Sequence, residues 1–189
     1  TSEATGQIMV VIVTGTPIFP GSKNFVGALR KQCPEITTVI QNINPQKTSM
    51  VLGERDKVLY GKGYIEDELM GLTFRLSPAS FYQVNAKMTE KLYETALSFA
   101  KLSSNDTVLD AYCGVGTIGM AASRSAGQVI GVELNKAAVR DAIANAKRNG
   151  IENIRFFADD ASDFLLRIAE RGEKLDAVIM DPPRSGSTE

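Results

Sequence analysis

The chain has 189 residues, 43% hydrophobic and 23% charged, the balance of an ordinary soluble globular protein of one large domain or a small one joined to a partial one. Twenty-one Lys and Arg against 22 Asp and Glu leave a net charge of −1, so overall charge draws the chain neither to nucleic acid nor to anionic lipid. The absence of His excludes triads and metal sites built on it, and Cys33 and Cys113 make neither a disulfide framework nor a paired-cysteine metal site, which fits a reducing cytosol.

Residues 1–77 read as a strand-rich α+β segment, with β-branched runs at Met9–Val13 and Ile36–Ile40 and a third strand around Val58-Leu59-Tyr60. Apolar stretches such as Ile8 to Thr14 are too short to span a bilayer and no signal peptide opens the chain, so the expected location is the cytoplasm, away from membranes. Pro17, Pro20-Gly21, Asn44-Pro45, Gly61 and Gly63 punctuate the strands, and a helix fits between Asn24 and Gln32. Eight basic against seven acidic residues give this segment no basic patch.

From 78 to 189 helix and strand alternate. A helix capped near Asn85 carries Met88, Leu92, Ala96 and Phe99 at helical spacing. Strands follow at Thr107–Tyr112, Gln128–Val132, Ile154–Phe157 and Leu175–Met180, with helices from about Gly116, at Lys136–Arg148 and at Ser162–Arg171. Consecutive βα units of this kind build an α/β fold with a parallel sheet, and ligands sit at the C-terminal ends of its strands. Ser185–Glu189 reads as a loop cut short.

The strongest motif is Asp110-Ala111-Tyr112-Cys113-Gly114-Val115-Gly116-Thr117-Ile118-Gly119, where the first strand of this region turns into its helix. Gly114, Gly116 and Gly119 satisfy G-x-G-x-x-G, a pattern that gives a tight turn, backbone close to a ligand and close helix packing. Glu133 closes the second strand, where a carboxylate can accept hydrogen bonds from two ribose hydroxyls. A dinucleotide such as NAD and S-adenosylmethionine both fit so far. Asp110 favours the latter, since its carboxylate would repel a pyrophosphate but can bind a cationic methionine end; its other reading is a helix-capping or turn residue. After the third strand, Asp159 or Asp160 can accept from an adenine amino group or serve as an N-cap. The fourth strand ends in Asp181-Pro182-Pro183-Arg184, two prolines fixing where the carboxylate points, or simply a stiff turn.

Together, Ser80-Phe81-Tyr82-Gln83-Val84-Asn85, the glycine turn at 110–116 and Asp181-Pro182-Pro183-Arg184 resemble the RNA uracil-5 methyltransferase family, and most closely its bacterial 23S ribosomal RNA branch. The resemblance implies an incomplete Rossmann-like class I methyltransferase sheet over 78–189, cut after its fourth strand, with 1–77 as the family's central, substrate-side segment. It implies that Gln83, Tyr112, Glu133 and Asp181 bind S-adenosylmethionine along the Gly114 and Gly116 turn, with Thr117 and Asp160 as weaker candidates. Asp181 would also meet the target uracil. Phe81 either touches the flipped base or packs in the core, and Tyr112 either lies along the cofactor or is buried at a strand end.

The family reaction uses a Cys thiolate that adds to C6 of uracil and a Glu that later removes the C5 proton. By resemblance both lie beyond Glu189, and Cys113, among glycines in the cofactor turn, reads as a packing residue. The expectation is therefore an internal fragment of a monomeric enzyme that forms 5-methyluridine in ribosomal RNA ahead of tRNA, without metal, the fragment itself being inactive. The alternatives are a silent cofactor- or RNA-binding module and an NAD-binding domain.

Overall fold

The computed structural model describes residues 1–46 and 51–182, which fall into two compact units, one of residues 1–67 with 75–79, the other of residues 68–74 with the chain from Ser80 onward. In the first, the β-branched runs form β1 (Ile8–Thr14) and β2 (Ile36–Ile43), paired in parallel, and β3 (Arg55–Tyr60) adds antiparallel to β2. A parallel pair needs a crossover, supplied by α1 (Ser22–Gln32), whose Val26 packs with Ile36 and Val39. Central β2 is buried at every position except Thr37. Its buried Asn42 is satisfied by Gly53 and Asp56: Nδ2 donates to the Gly53 carbonyl at 2.9 Å and to Asp56 Oδ1 at 2.7 Å, and Oδ1 accepts the Gly53 N–H at 2.7 Å.

A hairpin of β4 (Ile65–Leu69) and β5 (Leu72–Leu76) was not among the strands expected from sequence. The acidic run Glu66-Asp67-Glu68 has poor strand propensity, but Ile65, Asp67 and Leu69 are buried in alternation, as are Leu72, Phe74 and Leu76. Met70 and Gly71 both adopt positive φ, 51° and 69°, as a two-residue hairpin turn requires.

In the second unit a four-stranded parallel sheet runs in the order β8 (Ile154–Ala158), β7 (Gln128–Glu133), β6 (Thr107–Ala111), β9 (Ala177–Met180). Helices α3 (Thr117–Ala122), α4 (Lys136–Arg148) and α5 (Ala161–Glu170) connect the strands, so the α/β expectation holds, each element within three residues of its expected bounds. The α5 face of the sheet packs Leu109, Ala111 and Val132 against Ala161, with Phe164 and Leu165 beside them. Chain order reverses between β6 and β9, which opens a crevice at their C-terminal ends.

The helix α2 (Ala86–Ala100) begins as expected, Asn85 accepting the Met88 N–H on its side chain at 3.1 Å. Its buried face is a different one from the apolar stripe. Thr89 and Tyr93 are buried, while Met88, Leu92 and Phe99 are 58%, 62% and 80% exposed. Among the described residues no helix is long and apolar enough to cross a membrane.

Candidate functional site

The turn from β6 into α3 is built by backbone conformations that most side chains resist. Tyr112 sits at φ 63°, Gly114 at 55° and Gly116 at 85°, the left-handed region in which a non-glycine residue is strained by roughly 1–2 kcal/mol. Cys113 N–H donates to the Val132 carbonyl at 3.0 Å and Gly116 N–H to the Cys113 carbonyl at 2.8 Å, which pins the turn to β7. The three glycines serve different ends. A Cβ on Gly114 would meet nothing within 4 Å, leaving its backbone open to a ligand, whereas one on Gly116 would lie 2.7 Å from Met120 Cε and 2.8 Å from the Phe156 ring.

Gly119 exists for Asp110. The Asp110 carboxylate is 1% exposed and its Oδ2 accepts the Gly119 N–H at 2.8 Å, satisfying an otherwise orphaned donor in the first turn of α3. Of the two sequence readings of Asp110, the capping one therefore describes a real bond. The same residue also lines the cleft. Burial pushes its carboxyl up to about 8; the Gly119 bond opposes this and the nearby Asp181 and Glu133 charges add to it.

Glu133, at the end of β7, is held at both oxygens: Oε2 accepts the Gly114 N–H at 3.1 Å and Oε1 the Asn135 N–H at 2.8 Å. A carboxylate so held keeps further lone pairs for a ligand. Asp160 lies away from the cleft lining and caps α5, its Oδ1 accepting from Ser162 at 2.9 Å and Asp163 at 3.2 Å, the N-cap alternative. Asp159 forms an ion pair with Arg167.

Between the ends of β6 and β9 the structure gathers Phe81, Gln83, Tyr112, Gly114, Thr117 and Asp181 around one cleft, six of the nine residues that the family resemblance implies, with Asp110 beside them. Gly116 and Glu133 stand behind it in the turn. Phe81 is 72% exposed, which removes its core reading. Asp181 is exposed at the end of the last strand; Pro183 and Arg184 lie outside the described residues. Cys113 also lines the cleft, but it is buried and its thiol is pushed far up by burial and then by the Asp110 and Glu133 charges. Tyr93, which sequence reasoning missed, reaches in from α2 with its hydroxyl 2.9 Å from Thr117 Oγ1. Burial raises the pKa of its phenol too, so the hydroxyl keeps its proton. The available signal was Thr89 and Tyr93, four residues apart on one helical face, overshadowed by the larger apolar stripe. The cleft thus offers the Asp181 carboxylate for a cationic group, aromatic rings for a planar one and open backbone at Gly114.

Comparison with known proteins gives this cleft its context. The chain is 45% identical over 180 residues to an uncharacterized RNA methyltransferase of Lactiplantibacillus plantarum, covering 95% of this chain and 39% of that protein. It is 43% identical over 183 residues to one of Enterococcus faecalis, covering 96% and 40%. The chain thus spans about two fifths of the length of the curated relatives it matches. Among solved structures, the Pyrococcus abyssi tRNA (uracil-54, C5)-methyltransferase in complex with S-adenosyl-L-homocysteine superposes with a TM-score of 0.72 at 26% identity, over 99% of this chain and 43% of that one. An S-adenosylmethionine-dependent methyltransferase from Agrobacterium tumefaciens, TM-score 0.58 at 20% identity over 82% of this chain and 49% of its own, shares the fold. The profile of the tRNA (uracil-5-)-methyltransferase family matches residues 29–189, from within α1 through the whole glycine turn and beyond it, and the chain belongs to that family.

Proposed function

We propose that the chain is the cofactor-holding part of an S-adenosylmethionine-dependent enzyme that methylates C5 of uridine in RNA. The observation that carries this reading is the convergence of Gln83, Tyr112, Gly114 and Asp181 on one cleft at the strand-order reversal. The residues present fit the cofactor's chemistry. Glu133 is pre-oriented by two backbone donors to accept from ribose hydroxyls, Asp181 supplies negative charge for the methionine ammonium and the sulfonium, buried Asp110 lines the cleft beside it, and Tyr112 gives the adenosine a surface to lie along. When bound, S-adenosylmethionine supplies an electrophilic methyl group. The chain's own work is to orient that group, with Asp181 and exposed Phe81 at the mouth positioned to receive a uracil ring.

The covalent step needs a thiolate, and neither cysteine of the chain suits it. Cys113 is buried with its ionisation suppressed, and Cys33 packs under α1 in the other unit. We therefore assign the nucleophile and the C5 base to other residues of the whole protein, and residues 1–77 to its substrate side. The target class proposed is 23S ribosomal RNA, supported by the motif resemblance; tRNA is the second reading, favoured by the substrate of the Pyrococcus abyssi neighbour.

Titration calorimetry of the chain with S-adenosylhomocysteine and with NAD tests the cofactor: heat with the first and none with the second is expected, and the reverse pattern would falsify the reading. Methyl transfer by the whole protein onto 23S ribosomal RNA and tRNA transcripts, with 5-methyluridine mapped by mass spectrometry, then separates the two substrates.

A further inference from the structure

A second cavity lies within the same unit, on the sheet face that α5 covers, at the β8 edge and away from the cleft. It measures about 210 Å³, several times the roughly 30 Å³ of one water, and is lined by Arg155, Arg167 and Arg171 over Phe157, Phe164 and Ile130. Strand register explains the grouping: Arg155 pairs with Ile130 and Phe157 with Val132, so both project on the face that carries Phe164. The cavity runs along β7 and β8 from Gln128 to Phe157, whereas the cleft is at the C-terminal ends of β6 and β9.

Core packing does not account for this composition. A parallel sheet facing a helix is ordinarily apolar, yet the edge strand carries an exposed guanidinium, Arg155, that has no acidic partner among the described residues. Arg167 is paired with Asp159 and lies over the Phe164 ring at 5.7 Å. Arg171 is 69% exposed and meets Glu173 only at 3.8 Å. Three guanidinium groups thus face two carboxylates. Phe157 is 41% exposed, its ring centroid 5.2 Å from that of Phe164.

We propose that this pocket docks the RNA substrate, Arg155 and Arg171 gripping a backbone phosphate while the adjoining base lies on Phe157; the proposal rests on the RNA methyltransferase reading above. Guanidinium forks match phosphate oxygens, and unstacked bases settle on exposed aromatic rings. Within these 189 residues, of net charge −1, local clusters of this kind are what can attract RNA.

The test uses the whole protein carrying Arg155→Ala with Arg171→Ala, measured by fluorescence anisotropy on substrate RNA across salt concentrations. Expected are an affinity loss of about tenfold and a log–log salt slope shallower by about 1.4, two contacts at roughly 0.7 each on single strands. Arg155→Lys with Arg171→Lys should keep the slope, and Phe157→Ala should weaken binding about tenfold with the slope unchanged. Inorganic phosphate, titrated by NMR, separates the sources of the anion: phosphate binding lost in the alanine variant while RNA affinity holds would reduce the pocket to an anion site and overturn the proposal. Unchanged RNA affinity with S-adenosylhomocysteine binding intact also overturns it and leaves the methyltransferase reading standing. Wild-type protein that binds no S-adenosylhomocysteine, but whose RNA affinity responds to these substitutions, overturns the methyltransferase reading and leaves the RNA-docking pocket standing.

Discussion

Asp110 Oδ2 accepts the Gly119 N–H at 2.8 Å, and a Cβ placed on Gly119 would stand 2.7 Å from that same oxygen. The third glycine of the motif is therefore the space a buried carboxylate needs to reach a helix backbone. Its role differs from that of Gly114, which supplies a positive φ and faces open space.

Gly119→Ala should accordingly destabilise the fold more than Gly114→Ala. The first forces Asp110 off its donor inside a packed core, at a cost of about 1–3 kcal/mol; the second strains one backbone position by roughly 1–2 kcal/mol. Urea unfolding of both variants measures the difference. Gly114→Ala should instead show its effect on S-adenosylhomocysteine affinity, because the added methyl projects into the open side of the turn.

The buried carboxyl also makes stability depend on pH in a direction opposite to that of a salt-bridged acid. Asp110 holds its proton up to about pH 8 when folded, and in the unfolded chain it releases it near the ordinary carboxylate value of 3.8. Across that window the folded state binds more protons, so this contribution is complete below the unfolded value and is lost as pH rises through 8. Its steepest slope is about 1.4 kcal/mol per pH unit. Asp110→Asn, which keeps an acceptor for Gly119, should flatten the curve. Subtracting its unfolding free energies from those of wild type between pH 4 and pH 9 isolates the term, and two parallel curves would disprove it.

What the sequence made legible follows from which signals are local. β6 through β9 and their helices were readable because each βα unit carries its own punctuation: a short β-branched run, then a cap such as Asn135, whose side chain accepts the Ala137 N–H at 2.9 Å. The β4–β5 hairpin was not, because its alternation is masked by Glu66-Asp67-Glu68 and its turn uses Met70, a residue with no turn signature, at positive φ. Buried Asp67 is accommodated by a bond from Ser2 Oγ at 2.7 Å, a partner 65 positions away that no sequence window contains. At the site, the cleft residues came from motif order, while Tyr93 and the bond between Asp110 and Gly119 required the packing itself.

Glu133→Ala removes the acceptor of two backbone donors along with its proposed ribose contact. S-adenosylhomocysteine binding should weaken by about 1–3 kcal/mol, roughly five- to 150-fold, and the fold should lose a comparable amount. Calorimetry and thermal unfolding of the same preparation separate the two losses. Full affinity in a destabilised variant would strip Glu133 of its ligand role and leave it a turn residue.

The two thiols should react at very different rates. Cys33 is half-buried, whereas Cys113 is 5% exposed and has its ionisation suppressed by burial and by neighbouring carboxylates. Titration with a thiol reagent under native conditions should show one faster cysteine, identified by peptide mapping as Cys33, and a second only on unfolding. Cys113→Ser should leave S-adenosylhomocysteine affinity within about twofold, since the side chain contributes packing. Fast native labelling of Cys113 would reopen its candidacy as a nucleophile.

The apolar stripe of α2 and its buried face make opposite predictions for adjacent residues. Leu92 is 62% exposed, so Leu92→Gln should change the stability of the 189-residue chain by no more than about 0.5 kcal/mol. Tyr93, next to it, is buried with its hydroxyl 2.9 Å from Thr117 Oγ1, and Tyr93→Phe leaves the Thr117 hydroxyl to find another partner, costing about 0.5–1.5 kcal/mol. Hydrophobic periodicity alone ranks these two positions the other way round, because Met88, Leu92 and Phe99 form the stronger pattern. Chemical denaturation of the two single variants decides between pattern and packing. A loss of about 2 kcal/mol or more at Leu92, the scale of a buried large-to-small change, would mean that the stripe, rather than the Thr89–Tyr93 face, is the one this helix buries.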